Sequence, residues 1–248
     1  YDSLGRMVDY VIAGGVDYIV ALGSTAETAT LSLKERDEVL RFIINRTNGR
    51  VPIVAGMGSN NTADLVEQLH SFNLDGVVAI LSVVPYYNKP SQEGIYRHFM
   101  AVADASPVPV IIYNVPGRTG LNMTAATTLR LAHATPKIVA IKEACGNIEQ
   151  MQAILDGRPE GFLVLSGDDG LTVELVKRGG DGVISVAANA FPERFCDCVH
   201  NAMKGNIALA ESEIAELTPA IDLLFKEGNP TGVKAMTAAM RSEEHTSE

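Results

Sequence analysis

Lys142 closes the run Ile138-Val139-Ala140-Ile141-Lys142, which is otherwise apolar and rich in β-branched residues. A strand buried on both faces reads as nearly continuous Val, Ile and Ala, so a lysine within one must place its ammonium against apolar neighbours. Two outcomes are open. The side chain threads past the strand end to water, or burial disfavours its charged form and leaves an amine able to form a Schiff base with a carbonyl substrate. The other residues with chemistry to offer are mostly hydroxyls. They are Ser24 and Thr25 in Gly23-Ser24-Thr25-Ala26-Glu27-Thr28, Tyr86 and Tyr87 in Pro85-Tyr86-Tyr87-Asn88, and Tyr113 ahead of Asn114-Val115-Pro116-Gly117-Arg118-Thr119-Gly120. Ser166-Gly167-Asp168-Asp169 adds two carboxylates, and Ser185 follows Ile184 in Gly182-Val183-Ile184-Ser185-Val186.

Each of these also has a purely structural reading. A Ser-Thr pair after a strand suits a helix N-cap, and Asp168-Asp169 reads better as the cap of a helix starting near Leu171 than as a metal pair. Gly56-x-Gly58-Ser59-Asn60-Asn61-Thr62 fits a turn with an N-cap better than a phosphate cradle. Cys196-x-Cys198 lies in a helical stretch, where residues two apart do not face each other. No metal and no cofactor are expected.

The elements that must carry these residues alternate regularly. Short β-branched runs at Tyr18–Leu22, Val51–Ala55, Gly76–Leu81, Val108–Tyr113, Ile138–Lys142, Phe162–Ser166 and Gly182–Val186 are separated by amphipathic stretches at Leu33–Thr47, Thr62–Phe72, Gln92–Ala105, Thr124–His133, Ile148–Leu155 and Leu171–Arg178. Strand and helix in alternation predict parallel βαβ units, either a doubly wound open sheet or an eight-stranded barrel. No Gly-x-Gly-x-x-Gly follows the first run, which argues against dinucleotide binding. Leu4, Val8, Val11 and Ile12 have helical spacing at the very start, so the pattern fits an α/β, TIM-type (β/α)8 barrel whose first strand is missing. Such a barrel leaves open edges near Tyr18 and Gly182. Residues 1–205 are expected to form the barrel and 206–240 to begin a C-terminal helical region. Residues 241–248 break the apolar periodicity and read as a non-native tail.

In a barrel of this kind the chemistry gathers where strands end and loops lead into helices. The hydroxyl loops, Arg118, Lys142, Asp168-Asp169 and Ser185 all fall on that one rim. With Lys142 pointing inward, period-two alternation turns Ala140 and Ile138 inward and Glu143 outward, leaving Tyr113 on the neighbouring strand to reach the lysine.

Composition limits the partners. With 248 residues, 46% hydrophobic content and a formal net charge of −10, the chain has enough apolar residues for a large core and lacks the basic balance that nucleic acid or an anionic membrane selects. No apolar run approaches the ~20 residues of a membrane span, and three cysteines make no disulfide framework. A small-molecule enzyme of the cytoplasm is the expectation.

Read together, Gly23–Thr28, Pro85-Tyr86-Tyr87-Asn88-Lys89-Pro90, Tyr113–Gly120, Ile141-Lys142-Glu143-Ala144-x-Gly146-Asn147, Ser166-Gly167-Asp168-Asp169, Gly182–Val186 and Asn229-Pro230-x-x-Val233-Lys234 resemble the dihydrodipicolinate synthase family of pyruvate-dependent class I aldolases. The likeness runs from Tyr1 to about Met240. It implies a lyase that joins pyruvate to L-aspartate 4-semialdehyde through a lysine Schiff base, in the route to diaminopimelate and lysine. The sister aldolases acting on N-acetylneuraminate or 2-keto-3-deoxygluconate, and a non-catalytic keto-acid-binding barrel, are the alternatives.

The resemblance also implies roles. Lys142 forms the imine; Thr25, Tyr87 and Tyr113 relay protons, Tyr87 from across a dimer interface. Ser24 and Thr25 hold the pyruvate carboxylate, Arg118 grips the second substrate, and the Ile184 carbonyl faces the lysine. Thr28, Asn60, Asp64 and Tyr86 match positions of a lysine-regulatory pocket, and the assembly implied is a homotetramer built as a dimer of dimers. Two departures stand in the hydroxyl loop, Ser24 for threonine and Ala26 for glycine. The second requires that Ala26 avoid positive φ.

Overall fold

The computed structural model describes residues 1–244, with side chains described through residue 240. Seven strands form one parallel sheet in sequence order: β1 (Ile19–Ala21), β2 (Ile53–Gly56), β3 (Ala79–Val83), β4 (Val110–Asn114), β5 (Ile138–Glu143), β6 (Leu163–Ser166) and β7 (Gly182–Val183). Helices α1 (Asp2–Ala13), α2 (Leu33–Thr47), α3 (Thr62–Ser71), α4 (Gln92–Ala105), α5 (Pro116–Thr119), α6 (Ala125–Ala134), α7 (Ile148–Gly157), α8 (Thr172–Lys177) and α9 (Pro192–Met203) alternate with them. The α/β expectation holds, with most boundaries within two residues. Capping chemistry explains why: Ser32 and Glu35 close a capping box on α2, while Asn61, Ser91, Thr124 and Asn147 accept the first free amides of α3, α4, α6 and α7.

Alternation along the strands makes two apolar layers. Ile53, Ala55, Ile80, Ile112, Ile141 and Val164 face the helices. Val54, Ala79, Leu81, Ile111, Tyr113, Ala140, Leu165 and Ile184 meet one another on the other face, so the sheet curls around them. One detail departs from simple alternation. The β4–β5 register pairs Val110 with Ile138 and then Ile111 with Ala140, leaving Val139 as an extra residue. This bulge flips the parity. Ile138, expected inside with Lys142, therefore packs on the helix side while Val139 leans against the inner cluster.

Strands β1 and β7 are the sheet's edges, as the repeat pattern predicted. Between them lies a groove of about 430 Å³, lined by Tyr18, Ile19, Val20, Val183, Val11 of α1 and Phe195 of α9. Strand β7 is shorter than its β-branched run because Ser185, Val186 and Ala187 leave the ladder; the amides of Val186 and Ala187 turn instead to the Asp169 carboxylate. Helix α10 (Ile207–Lys226) covers α8 and α9, and α11 (Thr231–Glu244) folds back so that Val233 joins Val186, Ala187, Leu217, Ile221 and Leu224 in one cluster. The expected tail begins inside α11, and its residues 245–248 lie outside the described residues. Among the described residues, no helix is long and apolar enough to cross a membrane.

Candidate active site

Lys142 points into the curl of the sheet. It pairs in register with Tyr113 on β4 and Leu165 on β6, so all three side chains share the concave face. The side chain does not thread to water: Lys142 is 7% exposed, and its Nζ lies 4.3 Å from the Tyr113 ring centroid. Burial lowers its pKa to about 8, the Asp169 charge pulls it back up, and the Arg118 charge adds to the lowering. Room for the lysine stem comes from Gly167, where an added Cβ would stand 3.2 Å from Lys142 Cε.

Tyr113 is also buried, and burial pushes its phenol pKa up against the opposing effects of a hydrogen bond with Ser24 and the Arg118 charge. Here the structure separates two residues of the hydroxyl loop. Ser24, in the 3-10 turn Ser24–Ala26, is the one that meets Tyr113; the Thr25 Oγ1 instead accepts a 2.8 Å hydrogen bond from Asn229 Nδ2. The geometry thus moves the hydroxyl contact that the family likeness gave to Thr25 onto its neighbour. Neither side chain caps a helix, and Ala26 keeps a negative φ, the left-handed conformations falling on Leu22 (φ 59°) and Glu27 (φ 52°).

Arg118 sits at the exposed end of α5 and donates to the Asn229 carbonyl at 2.9 Å. Asn229 therefore ties the arginine to the hydroxyl loop, and the ion pair of Lys234 with Glu27 fastens α11 over the same rim. Ile184 lies in the inner cluster and donates its amide to Ser166 O at 2.9 Å. Tyr87 is not drawn into the pocket: it is 88% exposed with φ 69°. Of the positions matched to a regulatory pocket, Asn60 and Tyr86 are linked through Asn88, which donates its side chain to one carbonyl and its backbone amide to the other. Asp64 is exposed in the first turn of α3, while the Thr28 hydroxyl donates within its own loop to Gly23 O.

Glu143 faces away from Lys142, as expected, and is fully buried. It accepts from Asn114 Nδ2 at 2.9 and 3.1 Å, Gln150 Nε2 at 3.0 Å and the Cys145 amide at 2.9 Å. Burial pushes its pKa up. The cap reading of the acidic pair holds for Asp168, which accepts from Gly170 N at 3.0 Å, and fails for Asp169. Asp169 is 1% exposed, and its Oδ2 accepts the amides of Val186 and Ala187. Adjacent, identical side chains carry no signal of which one turns inward; Asn229 is visible in the sequence only as part of a distant Asn-Pro motif.

The model of the dihydrodipicolinate synthetase family matches residues 1–246. The chain belongs to this family. A relative from Phocaeicola vulgatus, named 4-hydroxy-tetrahydrodipicolinate synthase, is 52% identical over 240 residues, covering 97% of this chain and 81% of the relative. Among solved structures, a chloride-inhibited dihydrodipicolinate synthase from Acinetobacter baumannii complexed with pyruvate aligns with a TM-score of 0.90 at 40% identity, over 94% of this chain and 80% of that one. The family enzyme from Cyanidioschyzon merolae with lysine bound gives a TM-score of 0.90 at 38% identity, over 97% and 81% of the two chains. The family match thus takes in both the lysine strand and the distant Asn229 segment that closes the rim.

Proposed function

We propose that this chain is a 4-hydroxy-tetrahydrodipicolinate synthase that condenses pyruvate with L-aspartate 4-semialdehyde through a Schiff base on Lys142. The observation that carries this reading is the desolvated Lys142 amine, its pKa near 8, against Tyr113 at the end of adjacent paired strands. The Nζ lone pair bonds to the keto carbon of pyruvate, one Nζ proton is passed to the keto oxygen to give the carbinolamine, and a second proton from the relay lets that hydroxyl leave as water, giving the iminium. Loss of a methyl proton then gives the enamine, whose carbon attacks the aldehyde. The contact of Tyr113 with Ser24 supports a proton relay through these hydroxyls, with Thr25 next in the loop; Ser24 and Thr25 with neighbouring amides suit the pyruvate carboxylate, and the Ile184 carbonyl the intermediates. Arg118, oriented by Asn229, suits the carboxylate of the second substrate. The pyruvate complex of the Acinetobacter relative supports the first substrate.

Several finer expectations belong to this proposal. The curled sheet with facing edges supports a (β/α)8-type barrel in which residues 1–205 supply all but the first strand, whose place would be the β1–β7 groove, and residues 206–240 begin the helical region. The exposed Tyr87, with its left-handed backbone, suits a tyrosine donated to a neighbouring subunit of a homotetramer in the cytoplasm. Lysine bound in the Cyanidioschyzon relative supports a regulatory pocket at Thr28, Asn60, Asp64 and Tyr86. Borohydride added with pyruvate is expected to leave a stable mass on Lys142; protein that stays unlabelled overturns the enzyme reading. Turnover with aspartate semialdehyde, set against cleavage of N-acetylneuraminate and 2-keto-3-deoxygluconate, separates the synthase from its sister aldolases.

A further inference from the structure

Asn114 and Glu143 are both 0% exposed and form the last rung that β4 and β5 share, one step beyond the rung of Tyr113 and Lys142. Alternation puts the two pairs on opposite faces of the sheet. Side chains close this last rung: Asn114 Nδ2 donates to the two Glu143 oxygens at 2.9 and 3.1 Å. The backbone closes it as well, with Ala144 N on Asn114 O at 2.8 Å and Gly167 N on Glu143 O at 2.7 Å. Gln150 Nε2 of α7 and the Cys145 amide complete the set of donors to the carboxylate, and all of them are neutral. A buried carboxylate is tolerable on such terms only when its oxygens are well bonded.

The donors cannot reverse. Asn114 Oδ1 accepts the Met123 amide at 3.0 Å, and Gln150 Oε1 accepts Asn122 Nδ2 at 2.8 Å, so turning either amide over breaks its other bond. The position between them therefore demands a side chain that accepts at both oxygens, which a group that merely filled space would not need.

We propose that Asn114 and Glu143 are positioning residues: as a clasp on the outer face they lock the last shared rung of β4 and β5, which holds Lys142 against Tyr113 on the inner face and so sets the rate of imine formation. The statement about the rate rests on the Schiff-base reading above; the statement about the contact does not. Both strands end at the clasp, so its loss leaves Tyr113 and Lys142 on the terminal rung, where backbone frays most readily.

The lysine can be read without pyruvate. Trace acetylation of the whole protein with acetic anhydride, followed by mass spectrometry as a function of pH, reports the titration of Lys142, with a midpoint near 8 expected for the native residue. Glu143→Gln keeps the length of the side chain and sets an N–H against the Asn114 and Gln150 donors. Water admitted by the loosened strand ends is expected to raise the Lys142 midpoint by about one pH unit. Removal of a negative charge without movement of the strands acts in the opposite direction, so the sign separates the two. An unchanged or lowered midpoint in folded Glu143→Gln overturns the proposal. Asn114→Asp added to Glu143→Gln exchanges donor and acceptor across the rung and should return the midpoint toward 8; a double variant no nearer to native than the single overturns the pairing. Should Glu143→Gln not fold, Glu143→Asp, which keeps the charge and withdraws it by one methylene, is read in the same way. At saturating pyruvate, borohydride trapping per folded molecule should slow by about 10²-fold in Glu143→Gln, as a misplacement of about 1 Å can cause, and recover in the double variant. A native trapping rate in the folded single variant overturns the proposal equally. Native protein that takes no label at all sinks the Schiff-base reading instead and leaves the titrations to decide the clasp.

Discussion

Gly167 sits where β5 and β6 end together, and its replacement by alanine probes how tightly the lysine is held. The new Cβ would lie 2.6 Å from Ala144 Cβ and 3.2 Å from both Glu143 O and Lys142 Cε. Carbon atoms in contact ordinarily stay about 3.5–4.0 Å apart, so the methyl group intrudes on Ala144 by about 1 Å. Overpacking of this kind costs about 1–3 kcal/mol. Against it stands the smaller backbone entropy of the unfolded alanine chain, about 0.4–1 kcal/mol in the stabilising direction, because the φ of Gly167 lies outside the left-handed region. The clash wins. Gly167→Ala is expected to lose about 1–2 kcal/mol, roughly 2–8 °C in Tm for a chain of this size. Parting β6 from β5 also lets water reach Lys142, so pyruvate trapping at neutral pH should slow as the amine is protonated more fully. Ala144→Gly removes the nearest clashing atom, and the double variant should recover most of the lost stability. Denaturant titration of the four proteins of this cycle decides the matter. A stabilised Gly167→Ala, or a double variant no better than the single, refutes the packing argument.

Two further outcomes are expected. Because the folded pKa of Lys142 is near 8 and the unfolded one near 10.5, the unfolded chain binds one more proton between those values, so this residue's contribution to stability rises with pH across that window and its penalty is full below it. Lys142→Met should accordingly exceed the native protein in stability by about 3 kcal/mol at neutral pH before any packing loss, with the gap narrowing toward pH 10.5; urea midpoints that keep a constant gap would contradict the shift. At saturating pyruvate, Ser24→Ala should slow imine formation by about 10²-fold or more, whereas Thr25→Val, whose hydroxyl meets Asn229 rather than Tyr113, should act mainly on the binding of the two substrates. Equal effects of the two on the rate of pyruvate trapping would return Thr25 to the relay.

Much of the site was legible because parallel βαβ units leave a strong local trace. β-branched runs marked the strands, caps such as Ser32 and Asn147 marked helix starts, and strand ends marked the rim on which Lys142 and Tyr113 both fall. What escaped depends on contacts distant in sequence. The Val139 bulge is invisible in a uniformly apolar run, and it moves Ile138 to the opposite layer. Ser24 and Thr25 are chemically alike neighbours, distinguished only because Asn229, 204 residues from Thr25, takes one of them.

Composition and pattern alone therefore determined the α/β class, the parallel strand order and an amine set in an apolar strand, since these follow from local propensity and from the two periodicities of helix and strand. The tertiary structure decided that the amine stays buried, that Glu143 serves a hydrogen-bond network on the far face, and that Asp169 turns inward while Asp168 caps a turn. Those outcomes depend on which charges and amides other strands bring within reach, and desolvation, Coulomb interaction and hydrogen bonding act through distance in space.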